Sequence, residues 1–123
     1  MKRKVLIVDD EPSIVKILGI YLNRAGYEVK SATSGSEALD IIKGYEPSIV
    51  TMDYDLGGRL NGQDTVKEMR AQGKTYPVVF ITGDPANEDK INANAGELKP
   101  YSVLIKPVRK ADLISAVDAL LLN

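Results

Sequence analysis

The chain has 123 residues, a length that supports one hydrophobic core and is short for two domains, so we expect a single domain over residues 1–123. Apolar residues make up 44% of the chain and charged residues 27%, which is typical of a soluble globular protein. The formal net charge of −1 provides no basic footprint, so we expect this domain to contact no nucleic acid.

Cysteine and histidine are both absent from the sequence. The lack of cysteine excludes disulfides, thiolate nucleophiles and cysteine-based metal sites. The lack of histidine excludes a Ser-His-Asp triad, an imidazole base and a histidine phosphoryl carrier within this chain. Any chemistry here must therefore depend on carboxylates, hydroxyls, lysines and a metal ion.

The basic start of the chain resembles the start of a signal peptide. Lys2, Arg3 and Lys4 follow Met1, but the apolar run behind them, Val5–Val8, is too short for a signal sequence. The longest apolar stretches have the length of a strand and are far too short to cross a bilayer. We expect a cytoplasmic protein that does not contact a membrane.

The first half of the chain alternates between strand and helix patterns. In chain order the predicted elements are a strand over Lys4–Val8, a helix from Pro12 to just before Gly26, a strand over Glu28–Ala32 and a helix over Ser36–Lys43. Ser34 has the side chain expected of an N-cap for the second helix.

The second half continues the alternation. The predicted elements are strands over Ser48–Met52, Val78–Ile81 and Val103–Ile105, helices over Gln63–Ala71 and Ala86–Ala95, and a last helix whose apolar residues run from Leu113 to Leu121. The fourth helix has a weak pattern because Ile91 is its one large apolar residue, so we expect it to bury a thin face.

Alternating strands and helices at this spacing predict right-handed βαβ units and a parallel sheet. The strands are nearly continuous apolar runs, as expected when helices cover both faces of the sheet. Five strands in a chain of this length favour a flavodoxin-like, doubly wound (βα)5 fold. We therefore predict a three-layer α/β sandwich with strand order 2-1-3-4-5.

Polar residues follow four of the five predicted strands. Asp9 and Asp10 follow strand 1, Asp53 follows strand 3, Thr82 follows strand 4 and Lys106 follows strand 5. Ligands of open α/β sheets bind beyond the carboxyl ends of the strands, where the strand order reverses. We expect these side chains to converge on one cleft, to which the edge strand 2 contributes little.

The acidic residues of this cleft are suited to a magnesium ion. Three neighbouring carboxylates, those of Asp9, Asp10 and Asp53, repel one another unless a cation is present. Hard oxygen ligands that remain open to water suit Mg²⁺, which also binds phosphate oxygens. An aspartate beside Mg²⁺ can act as a nucleophile on phosphorus, with Lys106 and Thr82 available to contact phosphoryl oxygens.

Four motifs give the chain a resemblance to a known family. They are Val8-Asp9-Asp10, Pro47–Asp53, Ile81-Thr82-Gly83 and Ile105-Lys106-Pro107. In these motifs the chain resembles the CheY-like receiver domains of two-component response regulators, and the likeness extends from about Val5 to Leu121. No single motif is specific, but all four occur in order at the expected strand ends.

The resemblance implies a role for each acidic residue of the cleft. Asp53 would be the phosphoacceptor and a metal ligand, and Asp10 would bind Mg²⁺ directly. Asp9 would bind the metal through water, and the backbone carbonyl of Asp55 would complete the site. The side chains of Asp55 and Asp84 would tune the lifetime of the phosphoryl group.

The resemblance also implies roles on the other side of the cleft. Lys106 would pair with the phosphoryl group, and the Thr82 hydroxyl would move toward it as the switch. The aromatic residue usual three positions before the lysine is here Val103. Tyr101 lies two residues earlier, at the end of an extension over Glu97–Pro100, and we expect Tyr101 or this extension to carry the signal instead.

The partners follow from the same resemblance. A histidine kinase or a histidine phosphotransfer protein would donate the phosphoryl group, and a protein output partner would bind the face formed by helix 4, strand 5 and helix 5. Phosphorylation-dependent dimerisation is an alternative output. We expect a stand-alone receiver that is no enzyme beyond its own phosphorylation and dephosphorylation, although a piece of a longer regulator would look the same.

Each motif also has a purely structural interpretation. Asp9 and Asp10 could cap the first helix, Asp53 could open a turn, Thr82 could end a strand, and Lys106 could precede a turn. Four independent caps and turns would have no reason to border one cleft, which favours the functional interpretation.

Two other functions remain open from the sequence. A receiver-like protein can bind partners without phosphorylation, although such proteins often lack the acidic pair or the lysine. The segment Met52–Asp55 also resembles the Asp-x-Asp motif of haloacid-dehalogenase-type phosphatases. In that family the motif comes first and the acidic pair last, the reverse of the order found here.

Overall fold

The computed structural model describes residues 2–122, in which five strands alternate with six helices. The strands are β1 (Lys4–Val8), β2 (Glu28–Ala32), β3 (Ile49–Asp53), β4 (Val78–Thr82) and β5 (Tyr101–Ile105). The helices are α1 (Pro12–Arg24), α2 (Gly35–Ile41), α3 (Gly62–Ala71), α4 (Ala86–Asn92), α5 (Ala95–Leu98) and α6 (Lys110–Leu121).

All five strands are parallel and lie in the order β2-β1-β3-β4-β5. Val8 at the end of β1 is in register with Met52, one residue before the end of β3. Asp53 pairs with Ile81, and Thr82 pairs with Ile105. The strands therefore end together, and the predicted flavodoxin-like fold and strand order are confirmed.

Two hydrophobic clusters cover the two faces of the sheet. Leu18 and Leu22 of α1 and Leu113 and Val117 of α6 pack on one face. Helices α2, α3, α4 and α5 cover the other face, which has the fully buried Phe80 of β4 at its centre. Burial of apolar side chains in both clusters supplies the main stabilisation of the three layers. Within residues 2–122, no helix has both the length and the apolar character that a membrane span requires.

The structure differs from the predicted elements mainly between β4 and β5. The helix predicted over Ala86–Ala95 ends at Asn92, and the short helix α5 follows it, so the helix predicted as the fifth is α6. Asn94 interrupts the helical backbone with φ −115° and ψ 22°. Helix α4 buries Asn87 and Ile91, which confirms the expected thin face.

Arg70 of α3 fixes the extension that precedes β5. Its Nε and Nη2 atoms donate to the carbonyl oxygen of Leu98 at 3.1 and 2.8 Å, and Nη2 also reaches the carbonyl oxygen of Pro100 at 3.4 Å. A planar guanidinium can donate several bonds in fixed directions, so one side chain orients the whole segment. Strand β5 begins directly after this anchor, at Tyr101 rather than at Val103.

Candidate functional site

Asp53 is the last residue of β3, and its side chain lies in a buried position at the carboxyl edge of the sheet. The residue is 3% exposed. Its Oδ1 atom accepts hydrogen bonds from the Asp55 backbone N–H and from Lys106 Nζ, both at 3.4 Å. These long contacts leave carboxylate lone pairs for a further ligand.

Asp9 and Asp10 reach the same place from the end of β1. The three carboxylates of Asp9, Asp10 and Asp53 each offer an oxygen atom, and these atoms lie within 4.8 Å of one another. Asp9 is 1% exposed and accepts a bond from the Glu11 backbone N–H at 2.9 Å. Asp10 is exposed and accepts a bond from the Gly57 N–H at 3.3 Å.

The electrostatics of this cluster are unfavourable to the charged carboxylates. Burial, together with repulsion from Asp9, raises the pKa of Asp53 from 3.8 to about 6, although Lys106 opposes the change. Burial also raises the pKa of Asp9, against the lowering effects of the Glu11 hydrogen bond and of Lys106. Lys106 therefore does not fully compensate the charge of the cluster.

Lys106 lies directly after β5, with Nζ 3.4 Å from Asp53 Oδ1 and 3.9 Å from Asp9 Oδ2. Burial lowers the pKa of Lys106, but attraction to Asp53 and Asp9 outweighs burial and raises it overall. The ammonium therefore stays charged at neutral pH. A cluster of oxygen ligands that keeps excess negative charge fits a hard divalent cation such as Mg²⁺.

Gly62 at the start of α3 allows the helix to approach the end of β3. A Cβ atom on Gly62 would lie 2.3 Å from the Asp53 carbonyl oxygen and 2.9 Å from Tyr54 Cα. The Gly62 N–H donates to the Tyr54 carbonyl oxygen at 3.0 Å. Because Gly62 has no side chain, α3 can begin directly beside the end of β3, where Asp53 lies. This role of Gly62 was not predicted from the sequence.

Thr82, the last residue of β4, is fully buried. Its Oγ1 atom accepts a hydrogen bond from Asn87 Nδ2 at 2.9 Å and from the Asp84 N–H at 3.2 Å. The contribution of Asn87 was not predicted. Asparagine is usually exposed, so nothing in the α4 sequence pattern indicated that its amide contacts a strand end.

The remaining predicted site residues lie around this centre. Asp55 and Asp84 are exposed, and the Asp84 carboxylate accepts a bond from the Ala86 N–H at 2.9 Å. Val103 is half-buried and packs on the helix-covered face of β5. Tyr101 lies on the same strand, contacts Phe80 edge-on and bonds Asn92.

The Tyr101 contacts connect strand β5 to both β4 and α4. The ring centroids of Tyr101 and Phe80 are 5.8 Å apart at an interplanar angle of 74°. The Tyr101 hydroxyl donates to Asn92 Oδ1 at 2.6 Å. Tyr101 is therefore a part of the sheet and not of the loop before it, whereas Thr82 contacts the opposite end of α4.

Comparison with known proteins agrees with this geometry. Residues 5–118 match the response regulator receiver domain family. The chain belongs to this family.

Relatives and solved structures show the same likeness. The chain is 33% identical over 121 residues to the alkaline phosphatase synthesis transcriptional regulatory protein PhoP of Bacillus subtilis (strain 168), with 98% of this chain and 49% of PhoP aligned. It thus spans about half the length of that relative. The receiver domain of Francisella response regulator 1452 is 26% identical with a TM-score of 0.86, covering 98% of this chain and 97% of that chain. Chemotaxis protein CheY4 of Vibrio cholerae is 27% identical with a TM-score of 0.85, covering 98% and 99%.

An apolar groove borders the site of this receiver domain. It has a volume of about 430 Å³ and lies between α1 and the segment that follows β5. Its lining consists of Ile14, Ile17, Leu18, Tyr21, Ile81, Lys106, Pro107 and Val108. Ile17 is 44% exposed, so the groove presents apolar surface to solvent directly beside the ammonium that contacts Asp53.

Proposed function

We propose that this receiver domain accepts a phosphoryl group on Asp53 from the phosphohistidine of a histidine kinase or a histidine phosphotransfer protein. One observation carries the proposal: a buried aspartate lies between an acidic cluster and a lysine ammonium at the carboxyl edge of the sheet. In this proposal the domain catalyses its own phosphorylation and dephosphorylation.

The reaction is an in-line displacement at phosphorus. An oxygen of the Asp53 carboxylate attacks the phosphorus atom, forming an O–P bond while the N–P bond to the donor histidine breaks. The histidine nitrogen keeps the electron pair and takes a proton from water. The Lys106 ammonium, 3.4 Å from the Asp53 carboxylate, lies where it can neutralise a phosphoryl oxygen.

The acidic cluster is the proposed metal site. Asp10 and Asp53 would bind Mg²⁺ directly, Asp9 would act through water and the Asp55 backbone carbonyl would complete the set. Bound Mg²⁺ supplies charge neutralisation for the carboxylates and for the transferred phosphoryl group. The raised pKa of Asp53 supports this proposal, because the charged site is destabilised without a cation.

Output would depend on the surface formed by α4, β5 and α6. The Thr82 hydroxyl would donate a hydrogen bond to a phosphoryl oxygen on Asp53, and Tyr101 or the extension before β5 would transmit the change. This surface would bind a protein partner or a second copy of the domain. The Tyr101 contacts with Phe80 and Asn92 support a link between the strands and α4.

Asp55 and Asp84 are the proposed tuning residues. Both carboxylates are exposed beside the site, where they can orient water or repel it. We expect Asp55→Asn and Asp84→Asn to change the dephosphorylation rate without removing phosphorylation. Identical decay rates in both variants and in the wild type would contradict this role.

The deciding experiment is intact-mass measurement after incubation with Mg²⁺ and acetyl phosphate. We expect one added phosphoryl group on the wild type, none on Asp53→Asn, and none on the wild type in EDTA. A beryllofluoride titration followed by tyrosine fluorescence detects a site whose phosphoryl group is lost too quickly to measure. Failure of both on the wild type would favour a phosphorylation-independent binding module, and turnover of phosphomonoesters would favour a phosphatase.

The apolar groove is the proposed contact for the protein donor, because a donor that reaches Asp53 must lie over the adjacent surface. Ile17 lines this groove, whereas Ile20 of the same helix is 38% exposed outside it and serves as a matched control. We expect Ile17→Ala to slow transfer from an autophosphorylated histidine kinase about tenfold by removing apolar contact. Acetyl phosphate should phosphorylate both variants at the wild-type rate, and equal losses in Ile17→Ala and Ile20→Ala would contradict the assignment.

A further inference from the structure

A buried hydrogen bond joins the proposed switch hydroxyl to helix α4. Asn87 Nδ2 donates to Thr82 Oγ1 at 2.9 Å, and the two residues are 4% and 0% exposed. An amide buried this deeply requires a hydrogen-bond partner, because an unpaired polar group away from water is costly. The Thr82 hydroxyl at the end of β4 is the partner of the Asn87 amide.

The hydrogen-bonding capacity of the Thr82 hydroxyl is filled in this arrangement. A hydroxyl donates one bond and accepts two. Here it accepts from the Asn87 amide and from the Asp84 N–H at 3.2 Å, and it donates weakly to the Asp84 carbonyl oxygen at 3.4 Å. A phosphoryl oxygen on Asp53 needs the hydroxyl proton, so these bonds must be exchanged before Thr82 can contact it.

The backbone of Thr82 is held in the sheet, so its side chain can move only by rotation about the Cα–Cβ bond. Thr82 pairs with Ile105 in the sheet, and its carbonyl oxygen accepts a bond from the Lys106 N–H at 2.8 Å. With the backbone fixed, the hydroxyl changes direction by rotating about the Cα–Cβ bond between staggered rotamers. Such a rotation moves Oγ1 away from the Asn87 amide and leaves that amide unpaired inside the protein, which favours a shift in the first turn of α4.

We propose that Asn87 is a positioning residue, which holds the Thr82 hydroxyl in its resting orientation and couples its rotation to α4. This inference rests on the proposed phosphorylation of Asp53. Asn87 opposes the phosphorylated arrangement, because the bond to Thr82 stabilises the resting one. Removal of the amide therefore makes the response to phosphorylation easier and not harder.

The test is a beryllofluoride titration in Mg²⁺, followed by tyrosine fluorescence, on four proteins: the wild type, Asn87→Ala, Thr82→Ala and the double variant. One net hydrogen bond corresponds to about fivefold to tenfold in an equilibrium, so Asn87→Ala should bind beryllofluoride more tightly by that factor. In the Thr82→Ala background the same substitution should change the affinity less than twofold, because the partner is absent.

Two further variants separate the hydrogen bond from the stability of the helix. Asn87→Leu keeps the branched shape of the side chain without its donors, so it should also tighten binding. Asn94→Ala removes a half-buried asparagine amide, which donates to the Lys90 carbonyl oxygen at 3.0 Å and not to Thr82, and should leave the affinity unchanged. Thermal unfolding of each variant identifies those that fold.

The outcomes distinguish this proposal from the one on which it rests. Unchanged or weaker beryllofluoride binding in both Asn87→Ala and Asn87→Leu, with normal wild-type binding, overturns the role of Asn87 alone. Equal tightening with and without Thr82 overturns it too, because Asn87 would then act through the helix and not through the hydroxyl. A wild type that neither binds beryllofluoride nor takes up a phosphoryl group overturns both proposals.

Discussion

The two sides of the site are held in opposite ways. The acidic side, formed by Asp9, Asp10 and Asp53, brings like charges together in a buried place, and the pKa of Asp53 rises to about 6. The switch side, formed by Thr82 and Asn87, is also buried, but its polar atoms bond one another. The first side keeps repulsion between its carboxylates, which a bound cation would reduce, whereas the polar atoms of the second side are already hydrogen-bonded within the protein.

The acidic side thus contributes destabilising charge repulsion to the folded state, and the switch side contributes stabilising hydrogen bonds. Under the proposed function, a bound cation would reduce the repulsion on the acidic side, and its binding energy would offset the loss of hydrogen bonds on the switch side. Removal of the Asp53 charge should therefore stabilise the fold, whereas removal of the Asn87 amide should ease the proposed response.

The largest expected effect is that of Lys106→Met on phosphorylation. Methionine keeps much of the side-chain length but removes the charge that contacts Asp53, so the rate with acetyl phosphate should fall about 100-fold, as for loss of one electrostatic contact to a transition state. The rate is measured by intact mass against time. Lys110→Met removes an exposed lysine as a control, and equal rates in the two variants would contradict the role of Lys106.

The next effect is a gain of stability in Asp53→Asn. The difference between the ordinary pKa of 3.8 and the value of about 6 corresponds to about 3 kcal/mol of destabilisation by the ionised side chain, at 1.36 kcal/mol per pH unit. This difference already includes the opposing attraction of Lys106, but asparagine still buries a polar amide, so we expect a net gain of about 1–2 kcal/mol in the free energy of unfolding at pH 7.5 in EDTA. Urea unfolding measures it, with the exposed Asp40→Asn as control.

The size of this effect depends on pH. The folded state binds the Asp53 proton more tightly than the unfolded state, so its contribution to the free energy of unfolding falls as pH rises from about 4 to 6. The advantage of Asp53→Asn over the wild type should therefore be small near pH 4, grow through this interval and level off above it. An advantage that does not vary with pH would show that ionisation is not its cause.

Gly62→Ala, next to the acidic side, should lower the free energy of unfolding. The added Cβ atom would lie 2.3 Å from a backbone oxygen, so α3 or the end of β3 must move, at a cost of about 1–3 kcal/mol in the free energy of unfolding. Gly96→Ala in α5 is the matched control, because its Cβ atom meets nothing within 4 Å and alanine favours a helix. Urea unfolding that shows equal effects for both glycines would contradict the close approach.

The smallest effect is expected for Tyr101→Phe. The hydroxyl bond to Asn92 is exposed, so its loss should lower the free energy of unfolding by about 0.5 kcal/mol, and phosphorylation by acetyl phosphate should not change. Tyr101→Ala also removes the ring contact with Phe80, and it should weaken binding of an output partner if Tyr101 carries the signal. Unchanged partner affinity with normal phosphorylation would exclude that role.

The acidic side could be predicted from the sequence because it depends on residues next to strongly patterned strands. Lys4–Val8 and the run before Asp53 are continuous apolar segments, which fixed both strand ends to within one residue. The parallel topology then placed the carboxylates together. Their roles as phosphoacceptor and metal ligands stay predictions.

The switch side could be predicted only in part. The position of Thr82 at a strand end was predicted, and its switch role stays a prediction. Asn87 lies in a helix with little apolar pattern, and its burial depends on contacts across the fold. The start of β5 at Tyr101 was missed because Ser102 interrupts the apolar run and Pro100 precedes it. A segment whose order comes from a distant side chain such as Arg70 leaves no periodic signal in its own sequence.

Helix α4 is attached at both ends by asparagine side chains, and this has a mechanical consequence. Asn92 joins its last turn to Tyr101, and Arg70 anchors the segment beyond it, whereas Asn87 joins its first turn to Thr82. If phosphorylation releases Asn87 from Thr82 as proposed, the first turn of α4 would be free to move while its last turn stays attached. Seven residues span about 10 Å, so a tilt of about 10° would displace the free end by about 2 Å.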